Sequence, residues 1–139
     1  MKQPGARAIR EEYSKIGRTD LSLRYSFPDT DEPKTIIEKN YPIEFKIWGR
    51  KGYQAAPSQP LKYMSDDELV CAFVMIDRRK KPKIGDFEEI VRSNSEFPCL
   101  AIKEVPILTS NLNYFVSFHV DPRYRAARMA INIFLPIAS

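Results

Sequence analysis

Residues 112–135 read LNYFVSFHVDPRYRAARMAINIFL, and this stretch decides the fold. Apolar residues alternate with other side chains from Leu112 to Val120, and the alternation resumes from Met129 to Leu135. A period of two is the pattern of a β-strand with one face in a core. Residues 121–124, DPRY, are of the types that form turns. The stretch therefore predicts a β-hairpin.

Four upstream segments show further strand patterns. Residues 21–27 and 41–47 alternate in the same way, which indicates two half-buried antiparallel strands. Residues 99–102 and 105–108 are short apolar pieces. Pro106 suits an edge strand, because proline cannot donate to a ladder of hydrogen bonds.

Residues 69–76 are compatible with two elements. Ser65 and Glu68 have the spacing of a capping box, and apolar residues recur at helical intervals behind them, so a helix is one interpretation. The run is also apolar on both faces and rich in β-branched residues, as in a central strand. We favour the strand, followed by an exposed turn and a short helix over Asp86–Arg92.

The N-terminal residues have helical spacing. Ile9, Tyr13 and Ile16 recur at intervals of three and four, Pro4 suits a first turn and Gly17 suits a stop. The sequence therefore predicts an α+β fold, with a mainly antiparallel β-sheet, an N-terminal amphipathic helix over 4–16 and one or two short helices. Residues 1–139 are expected to form a single globular domain with mobile loops near 28–35 and 50–62.

Composition is that of an ordered globular protein, with 43% hydrophobic and 29% charged residues. Cys71 and Cys99 lie among apolar neighbours without the spacing of a metal site, so we expect reduced core thiols, no metal and an intracellular, cytoplasmic protein. No signal-peptide pattern or bilayer-length apolar run occurs in the sequence.

The strongest charge feature is the basic segment 78–83, RRKKPK, which places five cations in six positions. It can contact phosphates, act as a nuclear-import signal through Lys80-Lys81-Pro82-Lys83, or attract an acidic membrane surface. The alternative is a solvated turn. Residues 66–89 as a whole hold five basic against seven acidic residues, so the block lies within an acidic segment.

Two other segments add candidate partner-binding residues. The long loop after residue 47 carries cations beside an aromatic ring, a combination that binds phosphate and stacks on bases. The turn after residue 120 carries three arginines, and all three segments act together only if folding places them on one face. The predicted partner-binding residues are Arg78, Arg79, Lys80, Lys81, Lys83, Arg50, Lys51, Tyr53, Arg123, Arg125 and Arg128.

Catalytic signatures do not occur in the sequence: it has no phosphate-binding glycine loop, dinucleotide fingerprint or zinc-protease motif. The single histidine, His119, could act in catalysis only if folding placed it beside a nucleophile such as Ser117 or a cysteine. We expect no enzyme activity, no cofactor and no small-molecule substrate.

The net charge of +4 is compatible with binding to a polyanion. The leading hypothesis is a non-enzymatic binding or assembly module whose basic surface engages RNA, DNA, a nucleoprotein or, less favoured, an acidic membrane. A small viral matrix or coat-type structural protein fits this description. The alternative is a protein–protein adaptor that self-associates, as a homo-oligomer, through sheet edges or the 50–60 loop.

Overall fold

A computed structural model describes residues 5–10, 21–28, 31–32, 34–104 and 113–137, with the backbone alone for 5–10, 21–27 and 37–40. These residues contain seven strands and two helices. The strands are β1 (Gly5–Arg10), β2 (Leu21–Pro28), β3 (Ile36–Ile47), β4 (Val70–Asp77), β5 (Cys99–Lys103), β6 (Asn113–Asp121) and β7 (Ala126–Pro136). The helices are α1 (Ser58–Lys62) and α2 (Ile84–Arg92).

The strands form one sheet in the order β1-β2-β3-β4-β7-β6-β5. The predicted α+β character is confirmed, but the sheet is mixed, because β4 runs parallel to both β3 and β7. The chain between β3 and β4 passes through α1, and such a crossover returns the next strand in the same direction. The expectation of a mainly antiparallel sheet is therefore corrected at its centre.

The predicted hairpin is confirmed as β6 and β7, which pair antiparallel from Asn113 with Phe134 to Asp121 with Ala126. Residues 70–77 form a strand, as favoured, and the predicted short helix is α2. β2 and β3 are antiparallel, and β5 lies at the edge of the sheet. Residues 105–108, another predicted strand, lie outside the described residues.

The N-terminal helix is not found over the described residues. Gly5–Arg10 instead form β1, which pairs antiparallel with β2. Helical spacing is a local preference, whereas the edge of β2 offers a full row of backbone partners, and pairing of this kind overrides propensity. Residues 11–16 of the predicted helix lie outside the described residues.

Both helices lie on the same face of the sheet. Cys71, Phe73 and Met75 alternate along β4, and they belong to two core clusters that also contain Leu61 of α1 and Phe87 of α2. The Phe87 ring packs against Phe73, with ring centroids 5.7 Å apart. The core therefore lies between this face and the helices, and we call it the helix-covered face.

The 50–62 segment, expected to be a mobile loop, includes a short helix. It ends in α1, where Leu61 is completely buried, and Ala56 enters the core with 6% exposure. The apolar residues anchor this segment to the sheet. Among the described residues, neither helix has the length and hydropathy that crossing a bilayer requires.

Candidate anion-binding end of the sheet

The candidate site lies where the parallel strands β3 and β4 end. Ile47 is opposite Ile76 in the register, and the Trp48 backbone N–H donates to the Ile76 carbonyl over 2.8 Å. Parallel strands end at the same edge, so the segment after residue 47 and the segment after residue 77 leave the sheet together. Two of the three predicted basic segments are thereby brought side by side.

Asp77 and Arg79 form a tight pair at this end. Asp77, the last residue of β4, is fully buried, and its carboxylate accepts from the Arg79 backbone N–H at 3.0 Å. The Arg79 guanidinium donates to both carboxylate oxygens, through Nε at 3.0 and 3.1 Å and through Nη2 at 2.7 Å. The buried negative charge of Asp77 is therefore balanced by a single residue, Arg79, two positions later in the chain.

Arg79 also holds two neighbouring elements. Its guanidinium forms an ion pair of 3.0 Å with Asp86 of α2. It lies over the Trp48 ring at 4.1 Å from the centroid, within the range of a cation–π contact. Arg79 therefore links β4, α2 and the end of β3, and its charge is matched within the fold.

The pKa of Asp77 reflects this environment. Burial by itself raises the pKa of the carboxyl, but the side-chain and backbone hydrogen bonds from Arg79 and its charge lower it below the ordinary value. Asp77 is therefore a carboxylate at neutral pH and serves to orient Arg79.

The remaining cations of the two segments are exposed to solvent. The salt bridges found within the described residues involve Lys62, Arg79, Arg123 and Arg128. We define the basic end as the six exposed cations Arg50, Lys51, Arg78, Lys80, Lys81 and Lys83. Within the part of the chain that the structure describes, none of these six side chains forms a salt bridge, so each can meet a ligand without first breaking one.

The aromatic residues of this end are partly buried. Tyr53 packs on Trp48 with ring centroids 4.8 Å apart, and both rings lie against the core cluster of α2. Gly49 and Gly52 have φ angles of 84° and 79°, which turn the chain tightly enough to fold Tyr53 back. Tyr53, predicted to stack on a ligand, thus supports the loop.

The third basic segment lies at the other end of the sheet. Asp77 is opposite Pro136, whereas Asp121 is opposite Ala126, so the two turns are separated by the length of β7. Ten residue steps of about 3.3 Å make this roughly 33 Å. The arginines at 123, 125 and 128 therefore do not share one end with residues 78–83.

Arg128 is also removed from the surface, because it is only 1% exposed. Its Nε donates to Asp121 at 3.2 Å, and its Nη1 donates to the carbonyls of Asp66 and Glu68. Its prediction as a partner-binding residue is corrected: a buried guanidinium held by a buried carboxylate stabilises the turn.

Arg123 repeats the arrangement of Arg79. Its backbone N–H and Nε donate to one oxygen of Asp121, and its Nη2 donates to the other at 2.9 Å. The guanidinium also donates to the carbonyls of Leu61, Lys62 and Met64, which docks α1. Sequence reasoning missed both aspartates. The signal was present as Asp-x-Arg at the end of a strand.

His119 does lie beside Ser117, but both are buried. The Phe97 carbonyl, 2.9 Å away, can only accept, so His119 Nδ1 carries the proton and Nε2 accepts from the Ser117 hydroxyl at 2.7 Å. Asn132 in turn donates to Ser117 at 2.8 Å. Burial lowers the pKa of His119, although the Phe97 hydrogen bond opposes this. The network satisfies polar groups inside the core.

A cleft of about 430 Å³ lies between residues 54–58 and the end of α2. Its polar lining includes Glu89, Ser93 and Glu96, and none of the six cations of the basic end lines it. Across the described ranges, no three His, Cys, Asp or Glu side chains gather in a way that could hold a metal ion.

No known family matches this chain. Comparison with curated proteins and with solved structures also finds no match. The geometry of the basic end therefore carries the functional argument.

Proposed function

We propose that this protein is a non-enzymatic module that binds nucleic acid at its basic end, through the phosphate backbone. The observation that carries the proposal is the Arg79–Trp48 contact, which joins residues 48–53 to residues 77–83. These two adjacent segments carry six exposed cations. Exposed Lys and Arg side chains are the groups that neutralise phosphates.

The chemistry favours contacts to phosphate over contacts to bases. Sequence is read by side chains that reach base edges or by rings that stack on bases. Trp48 and Tyr53 are packed on each other and against the core, so the outward-facing groups are charged. We therefore expect little dependence on nucleotide sequence and a strong dependence on salt.

Acidic residues of α2 weaken the positive electrostatic potential around the basic end. Asp86 is already paired with Arg79, while Glu88 and Glu89 carry charge close to the basic segment. Screening confines such effects to about 8 Å at physiological salt. Short-range contacts to the phosphates are thus expected to dominate over long-range attraction.

The test is fluorescence anisotropy with a labelled 20-nucleotide single strand of mixed sequence, between about 50 and 200 mM salt. The variant R78E/K80E/K81E reverses three cations of the basic end and leaves Arg79 in place. Loss of three phosphate contacts should lower the slope of log affinity against log salt by about 2, at about 0.7 per contact.

The matched control is K34E/R92E/R125E, which reverses three exposed cations elsewhere. Both variants change the formal net charge by six units, from +4 to −2. The control should retain most of the binding. An equal loss of nucleic-acid binding in both variants would show that net charge alone matters and would overturn the proposal. Tighter binding to acidic vesicles than to nucleic acid would also overturn it.

A second candidate function is supported by β5. This strand lies at the edge of the sheet, and Leu100 within it is 64% exposed. An edge strand with an exposed apolar side chain can add a strand from another chain, as a protein–protein adaptor would. Leu100→Asp should then abolish association in light scattering and leave nucleic-acid binding unchanged.

A further inference from the structure

The cleft of about 430 Å³ between residues 54–58 and the end of α2 has no part in the proposed nucleic-acid contacts. Pockets that bind ligands usually have volumes of roughly 300–1,000 Å³, so this cleft can hold a small molecule or a few residues of a peptide. We call it the α2 cleft.

Several polar groups of the α2 cleft can only accept hydrogen bonds. The Ser58 hydroxyl donates to the Ala55 carbonyl at 2.7 Å, and the Ser93 hydroxyl donates to the Glu89 carbonyl at 2.9 Å. Each hydroxyl has one proton, so both oxygens are left to accept from a ligand. The side chains of Glu89 and Glu96 also line the cleft, and an ionised carboxylate has no proton to donate.

The negative charge of the α2 cleft is only partly balanced. Glu96 forms an ion pair of 3.3 Å with Lys62, whereas Glu89 takes part in none of the salt bridges found among the described residues. Arg92, in the last turn of α2, does not line the cleft. The C-terminal end of a helix also carries partial negative charge. A cationic group is therefore favoured beside Glu89, and phosphate is disfavoured.

Asn94 adds a donor that lacks an acceptor. Its Oδ1 accepts from the Phe97 backbone N–H at 3.0 Å, which orients the side-chain amide. Its Nδ2 is buried, and no group in the described part of the chain accepts from it. Buried polar groups are normally hydrogen-bonded. Because Asn94 lines the cleft, a carbonyl group of a bound ligand is the acceptor that this arrangement lacks.

We propose that the α2 cleft binds a basic peptide segment of a partner protein, with a Lys or Arg side chain at Glu89 and a backbone carbonyl at Asn94. A peptide carries donors and acceptors side by side along its length. A polyamine has donors alone and would leave Asn94 without an acceptor. A nucleobase favours stacking on an aromatic ring, but the apolar side chains that line the described cleft are Ala55 and Ile90.

The α2 cleft and the basic end lie at opposite ends of α2. Residues 78–83 precede the helix, whereas the cleft is lined by residues between 89 and 96, in its last turns and the chain after it. The two sites favour ligands of opposite charge, so one chain can hold a nucleic acid and a basic protein together. Neither site requires the other, and the two proposals can fail separately.

The experiment is fluorescence anisotropy with a fluorescein-labelled peptide of sequence Gly-Arg-Gly-Arg-Gly at low salt. Glu89→Lys reverses the charge that faces the proposed cation, and it should weaken binding about 10-fold or more, the equivalent of one lost charged hydrogen bond. Glu88→Lys is the matched control, because Glu88 lies on the same helix but does not line the cleft. It should retain the wild-type affinity. Circular dichroism verifies that both variants remain folded.

The absence of binding at about 1 mM peptide overturns the proposal. Equal weakening in Glu89→Lys and Glu88→Lys also overturns it, as does equal binding of a peptide with Glu in place of Arg. Competition by spermidine as strong as that by the unlabelled peptide would assign the cleft to polyamines instead. The variant R78E/K80E/K81E should bind the peptide at least as tightly as the wild-type protein. If it does not, the α2 cleft is not where the peptide binds.

Discussion

The guanidinium of Arg79 lies 4.1 Å from the centre of the Trp48 ring, while its nitrogens hold the buried carboxylate of Asp77. One side chain thus connects the turn after β4 to the loop after β3. It also shows that the basic segment is divided: Arg79 is part of the scaffold, and its neighbours face solvent. Stability and ligand binding should therefore respond to different residues.

Arg79→Ala is expected to destabilise the protein by about 2 kcal/mol, because it leaves the Asp77 carboxylate buried without its charged partner. The value lies below that of a fully buried pair, since 36% of the Arg79 side chain is exposed. Urea denaturation measures the change. Arg78→Ala removes the exposed neighbour and should alter the free energy of unfolding by less than about 0.5 kcal/mol. Equal changes in the free energy of unfolding in Arg79→Ala and Arg78→Ala would contradict a structural role for Arg79 alone.

Arg125→Gly is expected to stabilise the turn between β6 and β7. Arg125 has a φ of 51°, a left-handed conformation that costs a residue with a Cβ atom roughly 1 kcal/mol. Arg125→Ala removes the same side chain and keeps the strain, so it is the control. The glycine variant should unfold at higher urea, by about 1 kcal/mol relative to the alanine variant. If Arg125→Gly is less stable than Arg125→Ala, the backbone at residue 125 is not strained.

His119 should make stability fall on mild acidification. Its pKa is lowered from 6.5 in the folded state, so the unfolded chain takes up the proton first. The contribution is complete above about pH 6.5 and is lost as the pH falls towards the folded pKa, by at most about 1.4 kcal/mol per pH unit. Denaturation from pH 8 to 5 measures this slope.

His119→Gln keeps a polar side chain but does not titrate, so its stability should depend less on pH in the same range. Asp77 and Asp121 act at lower pH, because their pKa values lie below the ordinary 3.8. Their contribution is present above pH 3.8 and is lost as the pH falls through the folded values. If the stability of His119→Gln depends on pH between 8 and 5 as strongly as that of the wild-type protein, His119 does not resist protonation in the folded state.

The two cysteines should differ in reactivity. Cys71 is 1% exposed, and burial raises the pKa of its thiol, whereas Cys99 is partly exposed at the edge strand. A thiol reagent should therefore label one cysteine per native chain and two in urea. In Cys99→Ser, native labelling should disappear. Rapid labelling of Cys71 in the native protein would show that the core under α1 opens easily.

Local patterns predicted several elements well. The hairpin of β6 and β7 follows from alternation that repeats over two runs around a turn, and β4 follows from a short, β-branched apolar run. The spacing of the first strand is helical and predicts a helix, but these residues pair with β2, the next strand in the chain, which begins at Leu21. Backbone pairing between strands decides such cases, and the spacing of apolar residues within one segment does not report it.

The candidate site was predicted in part. The concentration of charge predicts Arg50, Lys51 and the exposed cations of 78–83, and the parallel pairing of β3 and β4 brings the two segments together. The same register separates them from Arg123 by the length of β7. Charge alone predicts Arg128 as a surface cation, because a sequence carries no information on which carboxylate will pair with a buried arginine.

The sequence by itself determined where most strands and α2 lie, where cations concentrate, and that β4 is apolar on both faces. Each of these is a property of neighbouring residues, set by the period of two, by turn chemistry and by composition. The tertiary structure alone decided that Arg79 belongs to the scaffold, that the basic segments divide between two ends, and that both helices cover one face. Those outcomes depend on strand order and register, which join residues far apart in the chain.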